Sequence, residues 1–401
     1  MMKRSIIILL LLPLLSACAT FHRVKSNRWL AKAKVQKQHF YQEISFTLQH
    51  NFPVFEVALG KDNIPFNFMF DSGGFTVLSK RAIEQTNGIK KRSYIDVRDA
   101  NKVTARVEVY ELPRLMVGDV ALEKVGFAQI GFTESALFSC MGIDGTLGPN
   151  ILKEDVWHFD YDAQKIIWTD DLGKIPQLDQ AIRVPISTNN IHKPWIPFTV
   201  GGVSKRAIVD TGANSLFAVP GVDTAIWQNQ FPFVRTFGNQ GQAGNSALST
   251  NGAFIKMDTI AFAGLQLSPV IANVGQFLQD YILGNRIMEH YNLTFNLSEN
   301  ELYFHQRPGK KLKEEVTSFG CSFDFKNGQV VIGALYEGGP AMKAGIQSGD
   351  IVRKINGKSY SFANYCDFIN NFEINQTSQL ELEISRAGQK RVLQLEKKRL
   401  L

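Results

Sequence analysis

Residues Phe66–Ser79 read FNFMFDSGGFTVLS, and residues Arg206–Pro220 read RAIVDTGANSLFAVP. Each is an apolar run that stops at Asp, a hydroxyl residue and Gly, then resumes as an apolar run. Asp71 and Asp210 stand 139 positions apart. The likeness extends in both directions. Upstream, NFPVFEVALGKDNIPFNFMF reads as two strands joined at Lys61–Asp62–Asn63, and KPWIPFTVGGVSKRAIV repeats that plan with Gly201–Gly202 as the turn. Downstream, GTLGPNILKEDVWHFDYDAQKIIW matches YILGNRIMEHYNLTFNLSENELYF, pairing Gly148 with Gly284 and Phe159 with Phe295 at an offset of 136. One loop therefore differs by three residues. The pattern is an internal duplication that divides most of the chain into two lobes, 44–178 and 179–306.

Composition agrees with a folded, strand-rich protein of more than one domain. The chain has 401 residues, 44% hydrophobic and 20% charged, with 29 Phe and 32 Gly. That length exceeds what one core supports, and short aromatic runs broken by Gly and Asn favour strands.

The ends of the chain have their own signatures. Residues 1–17 carry a basic start, MMKR, and an apolar run too short to span a bilayer comfortably. Leu15–Cys18, LSAC, resembles the lipobox of bacterial lipoproteins, which implies cleavage before Cys18 and its acylation. Ala19 in place of Asp favours the periplasmic face of the outer membrane. Residues 18–43 hold Arg23, Lys25, Arg28, Lys32, Lys34 and Lys37 before the first acid, Glu43, and read as a basic membrane tether. Loss of Lys3 and Arg4 lowers the net charge from +7 to +5. That mild balance, with no basic stripe interleaved with aromatics, speaks against nucleic acid. After a polar linker, 307–317, residues 318–401 contain GGPAMKAGIQSGDIVRKING. This stretch resembles a PDZ domain, which implies a carboxylate-binding loop at Ser318, Phe319, Gly320 and Cys321, with Phe319 lining the pocket, and a groove helix near Phe362 to Phe372.

Neither an HExxH pattern nor zinc-like Cys/His spacing occurs among the seven His and four Cys, so no metal or cofactor is expected. No GxSxG elbow is present either. With Cys18 consumed by lipid, Cys140, Cys321 and Cys366 remain. Cys321 and Cys366 share the last domain and could pair there; buried free thiols are the default.

The two D-[ST]-G triplets, each followed about 75 residues later by an apolar pair and Gly, resemble the aspartic proteases, both pepsin-like and retropepsin-like. The resemblance implies two β-barrel lobes around a cleft, with catalytic Asp71 and Asp210 contributed from one chain, so that a monomer suffices. It implies that Ser72 and Thr211 brace the facing loops and that Gly73 and Gly212 allow close approach. Two carboxylates held together share one proton and split their titrations. Gly74 and Ala213 depart from the hydroxyl residue of pepsin-like enzymes and imply a less acidic pair. Flaps are expected around Tyr94 to Asn101 and Phe237 to Asn245, with Tyr94 and Tyr110 as flap-tyrosine candidates. The substrate would be an extended polypeptide and the PDZ ligand a peptide C-terminus. The alternative is a catalytically silent peptide-binding lipoprotein.

Overall fold

The computed structural model describes residues 22–98, 104–129, 136–238, 242–243, 246–247, 251–276, 278–312, 315–374 and 377–401. Residues 1–17, Cys18 and the tips of both expected flaps lie outside them. The fold is mainly β. Three sheets carry it, and the alternating sequence explains their faces: Ile64–Phe70 turns Phe66, Phe68 and Phe70 into the core while Pro65 and Asn67 face out.

In the first half, six strands close on themselves. Val120–Gln129 pairs with Val77–Leu78, then come Gly145–Leu147, Ile64–Phe70, Phe52–Leu59 and Thr104–Val117, which returns to Val120–Gln129. In the second half the comparable order is Pro194–Val200, Val203–Asp210, Tyr281–Gly284, Phe217–Pro220, Val270–Gly275, Asn251–Met257 and Phe233–Gly238. Here Ile260–Phe262, separated by two residues from Asn251–Met257, pairs back with Pro194–Val200, Ala261 opposite Thr199, as Thr104–Val117 pairs back with Phe52–Leu59 in the first half. The edge strand Phe233–Gly238, which lies against Asn251–Met257 as Lys90–Arg98 lies against Thr104–Val117, pairs on its other side with Gln329–Tyr336 of the C-terminal domain, Thr236 opposite Tyr336 and Gly238 opposite Ala334.

A third, six-stranded sheet joins the halves. Val156–Asp160 of the first pairs with Tyr291–Asn296 of the second, His158 opposite Thr294 and Phe159 opposite Leu293. Aromatic packing fixes this junction: Phe70 lies 5.0 Å from both Phe55 and Trp157, and Trp157 stacks on Trp168 at 4.3 Å. One continuous core runs through both halves, so truncating a buried ring there costs about 3–5 kcal/mol.

The stretch expected as a free basic tether is folded from residue 22 onward. Residues 22–30 form a helix whose Leu30 packs with Val77, Val109 and Ala128. Lys34–Val35 adds a short strand opposite Leu122 and Glu123, and Tyr41–Ser45 completes the joining sheet. Leu30, Phe40 and Ile44 give the segment apolar surface to bury, and Lys32 is drawn over the Trp29 ring at 3.4 Å.

The C-terminal domain has a separate core around Phe319, Ile332, Ile346, Leu382 and Ile384. Pro340 starts its short helix Pro340–Lys343, where a missing N–H costs nothing. Asp350, 3% exposed, receives two bonds from Arg386 at 2.6 Å. Its second helix, Tyr365–Asn371, is capped by Asn364, whose side chain accepts from the Asp367 amide at 3.0 Å.

Candidate active site

Asp71 ends the strand Ile64–Phe70, which runs parallel to Gly145–Leu147, and its amide donates to the Leu147 carbonyl at 2.9 Å. Asp210 ends Val203–Asp210, parallel to Tyr281–Gly284, with Gly284 directly opposite. Each acidic turn is thus held by the apolar–apolar–Gly strand that follows it in sequence.

The two turns meet. The Ser72 amide donates to Thr211 Oγ1 at 3.0 Å, and the Thr211 amide donates to Ser72 Oγ at 3.0 Å. Ser72 Oγ donates in turn to the Val209 carbonyl at 2.7 Å, and Thr211 Oγ1 to the Phe70 carbonyl at 3.0 Å. Both hydroxyl residues are buried, so these four bonds are shielded from competing water.

The glycines set the distance between the carboxylates and the facing turns. A Cβ on Gly73 would stand 2.2 Å from the Asp210 Cγ, and one on Gly212 would stand 2.6 Å from the Asp71 Cγ. Neither position has room for a side chain. Gly74 is equally confined, since its Cβ would meet Asp71 Oδ2 at 2.4 Å, whereas Ala213 occupies the matching place in the other turn. The Gly212 amide donates to Asp210 Oδ1 at 2.9 Å.

This enclosure dictates the electrostatics. Burial raises the Asp71 carboxyl first and the charge of Asp210 second, to about 7. Burial also raises Asp210. Lys193 opposes the rise at both carboxyls by favouring their charged forms. Sequence reading did not single Lys193 out. The ladder could have done so: Trp195 pairs with Ile208, and continuing that register sets Lys193 opposite Asp210.

The flap-tyrosine candidates are engaged elsewhere. Tyr94 stacks on His22 at 5.0 Å, and Tyr110 stacks on Phe127 at 5.5 Å while its hydroxyl binds Glu108. Among the described residues no group of three or more His, Cys, Asp or Glu could hold a metal ion.

In the C-terminal domain Ser318 lies in a short strand against Lys398, and its Oγ accepts from the Gly320 amide at 3.0 Å. Gly320 has φ +82°, and a Cβ there would meet Gly339 Cα at 2.9 Å. Phe319 is 6% exposed and belongs to the domain core rather than to an open pocket. Cys321 is buried, which pushes its thiol up to about 12 and leaves it unreactive. Strand Cys321–Lys326 faces helix Tyr365–Asn371 across Phe323, Phe325, Phe368 and Phe372, with Phe325 stacked on Phe368 at 5.6 Å.

The cysteine pairing differs from both sequence-based options. Cys366 bonds Cys140, with Cα atoms 5.0 Å apart, and Cys321 is free. Cys321 points into its own domain core, while Cys366 sits on helix Tyr365–Asn371, which packs against helix Ala136–Cys140 of the first half. His50 Nε2 and Asn370 Oδ1, 3.0 Å apart, add a second contact across that junction.

With this geometry in place, known proteins can be set beside the chain. Residues 331–371 match the family model of the PDZ domain, and the chain carries a PDZ domain at its C-terminus. A 90-residue stretch is 30% identical to the carboxy-terminal processing protease CtpA of Bacillus subtilis (strain 168); it spans 21% of this chain and 19% of that protein. The crystal structure of Basic 7S globulin from soybean overlaps 68% of this chain and 97% of its own, with 11% identity and a TM-score of 0.44. That last likeness is too distant to carry function.

Proposed function

We propose that the chain is an aspartic endopeptidase that hydrolyses extended polypeptides through Asp71 and Asp210, two duplicated lobes each supplying one carboxylate. The observation that carries this reading is the mutual enclosure of the turns, in which each glycine after the hydroxyl residue abuts the opposite carboxylate. The ionised member of the pair takes a proton from water, and the resulting oxygen attacks the scissile carbonyl carbon. The protonated member donates to the carbonyl oxygen. Collapse of that intermediate breaks the C–N bond: the departing nitrogen takes a proton from one member of the pair while a hydroxyl of the intermediate gives its proton to the other as the carbonyl reforms. One proton is shared throughout, so raised and coupled titrations suit the task.

The PDZ domain recruits or regulates. Its strand Cys321–Lys326 pairs only with Gln329–Tyr336 among the described residues, leaving an edge beside helix Tyr365–Asn371 where a peptide could add as a strand. Cys18 anchors the protein by lipid on the periplasmic face of the outer membrane; this rests on LSAC and Ala19 alone.

Cleavage of a denatured protein substrate, with and without pepstatin, tests the activity. Asp71→Asn and Asp210→Asn should each abolish it, with little added by combining them. Full activity in either variant refutes the pair. Its optimum should lie in mildly acidic to near-neutral conditions; an optimum near pH 2 refutes the account of Gly74 and Ala213. Cys18→Ser should release the protein from membranes or leave it unprocessed.

A further inference from the structure

The two acidic strands present different faces beside their carboxylates. In the first half, Met69, two residues before Asp71, pairs with Val54, and both are buried with Phe52 beneath Met141 and Ile143. The cover comes from the described residues 136–144 that lead into Gly145–Leu147, with Leu137 and Phe138 packed against the same cluster. In the second half the corresponding connection between Val270–Gly275 and Tyr281–Gly284 is short and, among the described residues, supplies no comparable cover. The matching positions there are Ile208 and its partner Trp195, with Lys193 and Arg206 on the same face by the two-residue alternation. Trp195 is half-buried, and the Arg206 guanidinium lies over its ring at 4.3 Å. Neither Lys193 nor Arg206 forms an ion pair among the described residues.

We infer that Lys193, Trp195 and Arg206 form a recognition strip for an extended polypeptide carrying acidic side chains on one side of the bond to be cleaved. This rests on the endopeptidase reading for its orientation, since the strip starts opposite Asp210. Rows on one face of a strand repeat about every 7 Å, and alternate side chains of a bound extended peptide repeat at the same interval. Lys193 stands in the row of Asp210 and Arg206 two rows further on, opposite Pro197, so two carboxylates four residues apart would meet them in register, with the Trp195 ring beneath the intervening backbone. Charge complementarity decides the occupant: a basic peptide would add a third and fourth cation to an unpaired pair.

The test uses the full chain and three labelled nonapeptides identical except for Glu, Gln or Lys at two positions four residues apart on one side of the expected scissile bond. Binding is read by fluorescence anisotropy in Asp71→Asn, and cleavage in parallel in the unaltered protein. The Glu peptide should bind on the order of tenfold tighter than the Lys peptide at low salt, and the gap should close at about 0.5 M salt. Lys193→Met with Arg206→Gln should remove the preference without lowering the melting temperature. Equal binding of all three peptides, or a preference that survives in the double variant, overturns the inference. Preferential binding of the Glu peptide with no cleavage of any peptide supports the strip and refutes the endopeptidase reading. Cleavage of all three at one rate, with equal binding, does the reverse.

Discussion

Removing either hydroxyl that bridges the acidic turns should destabilise the protein far more than its small size suggests. Ser72→Ala deletes one oxygen, yet that oxygen accepts from the Thr211 amide and donates to the Val209 carbonyl. Ser72 is fully buried, so water cannot replace it. A buried polar group left without a partner costs about 1–3 kcal/mol, and the amide has no second option. Two such groups give an expected loss of about 2–6 kcal/mol. Thr211→Val keeps the volume and removes the Ser72 amide's acceptor and the Phe70 carbonyl's donor, for a similar loss. The double variant should cost less than the sum, because the first loss already loosens the shared contact. Urea unfolding followed by tryptophan fluorescence measures the change, with hydrogen exchange of the 70–74 and 209–213 segments as a local readout. Ser204→Ala, an exposed hydroxyl 3.0 Å from Thr199 Oγ1, is the control and should stay within about 0.5 kcal/mol. If Ser72→Ala and Thr211→Val behave like that control and exchange is unchanged, the turns do not depend on each other as argued.

Three further outcomes are expected. Lys193 favours the charged form of both carboxyls, so Lys193→Met should move both limbs of the kcat/KM profile to higher pH; a downward shift refutes that role. His158, buried and bonded to Thr294, has its imidazole pushed down to about 3 by burial first and His305 second. The unfolded chain binds this proton near pH 6.5 and the folded one does not, so stability falls as pH drops below about 6.5, by up to a few kcal/mol. His158→Gln should flatten the fall in melting temperature between pH 7 and pH 5. Cys140→Ser removes the cross-link between the first half and the PDZ domain, and should cost about 2–4 kcal/mol and speed proteolysis within 307–317.

Much of this architecture is written locally and so could be read. Strand, turn and strand follow one another within 25 residues around Asp71, and the helix Tyr365–Asn371 falls inside the stretch expected for it. Asp and Gly at strand ends carry their own punctuation. What could not be read depends on partners far away in sequence. Nothing in FVRTFG announces that it will pair with GQVVIGALY a hundred residues later, because β-propensity names a strand and not its neighbour. Cys140 was assigned to the first half and Cys366 to the last domain, and only the packing of their two helices brings them together. The basic residues after Cys18 drew attention to charge, while Leu30, Phe40 and Ile44, which fold that segment onto the body, are too sparse to mark a helix or strand. Lys193 was passed over because its role comes from register with Asp210 across the hairpin.

The edge strand of the second half and the placement of the PDZ domain explain each other. An edge strand exposes a row of unpaired amides and carbonyls and invites pairing with other chains. In the first half the corresponding edge strand, Lys90–Arg98, pairs only with Thr104–Val117 among the described residues. In the second half Phe233–Gly238 is left as an edge, and Tyr336, Leu335 and Ala334 pair with it. Glu337 extends the contact: its amide donates to the Arg235 carbonyl at 2.8 Å, and its carboxylate meets Arg235. A glycine is required where the two backbones come closest, since a Cβ on Gly238 would fall 2.3 Å from the Gly333 carbonyl oxygen. The PDZ domain is thus fixed to the second half by strand pairing and to the first by a disulfide on its groove helix. A peptide that adds beside Cys321–Lys326 has to displace rings packed between that strand and the helix, and the helix cannot move without pulling on Ala136–Cys140. That segment leads into Met141 and Ile143, which cover Met69 and Val54 behind Asp71. The path from the groove to the first acidic turn therefore consists of one covalent bond and one apolar cluster.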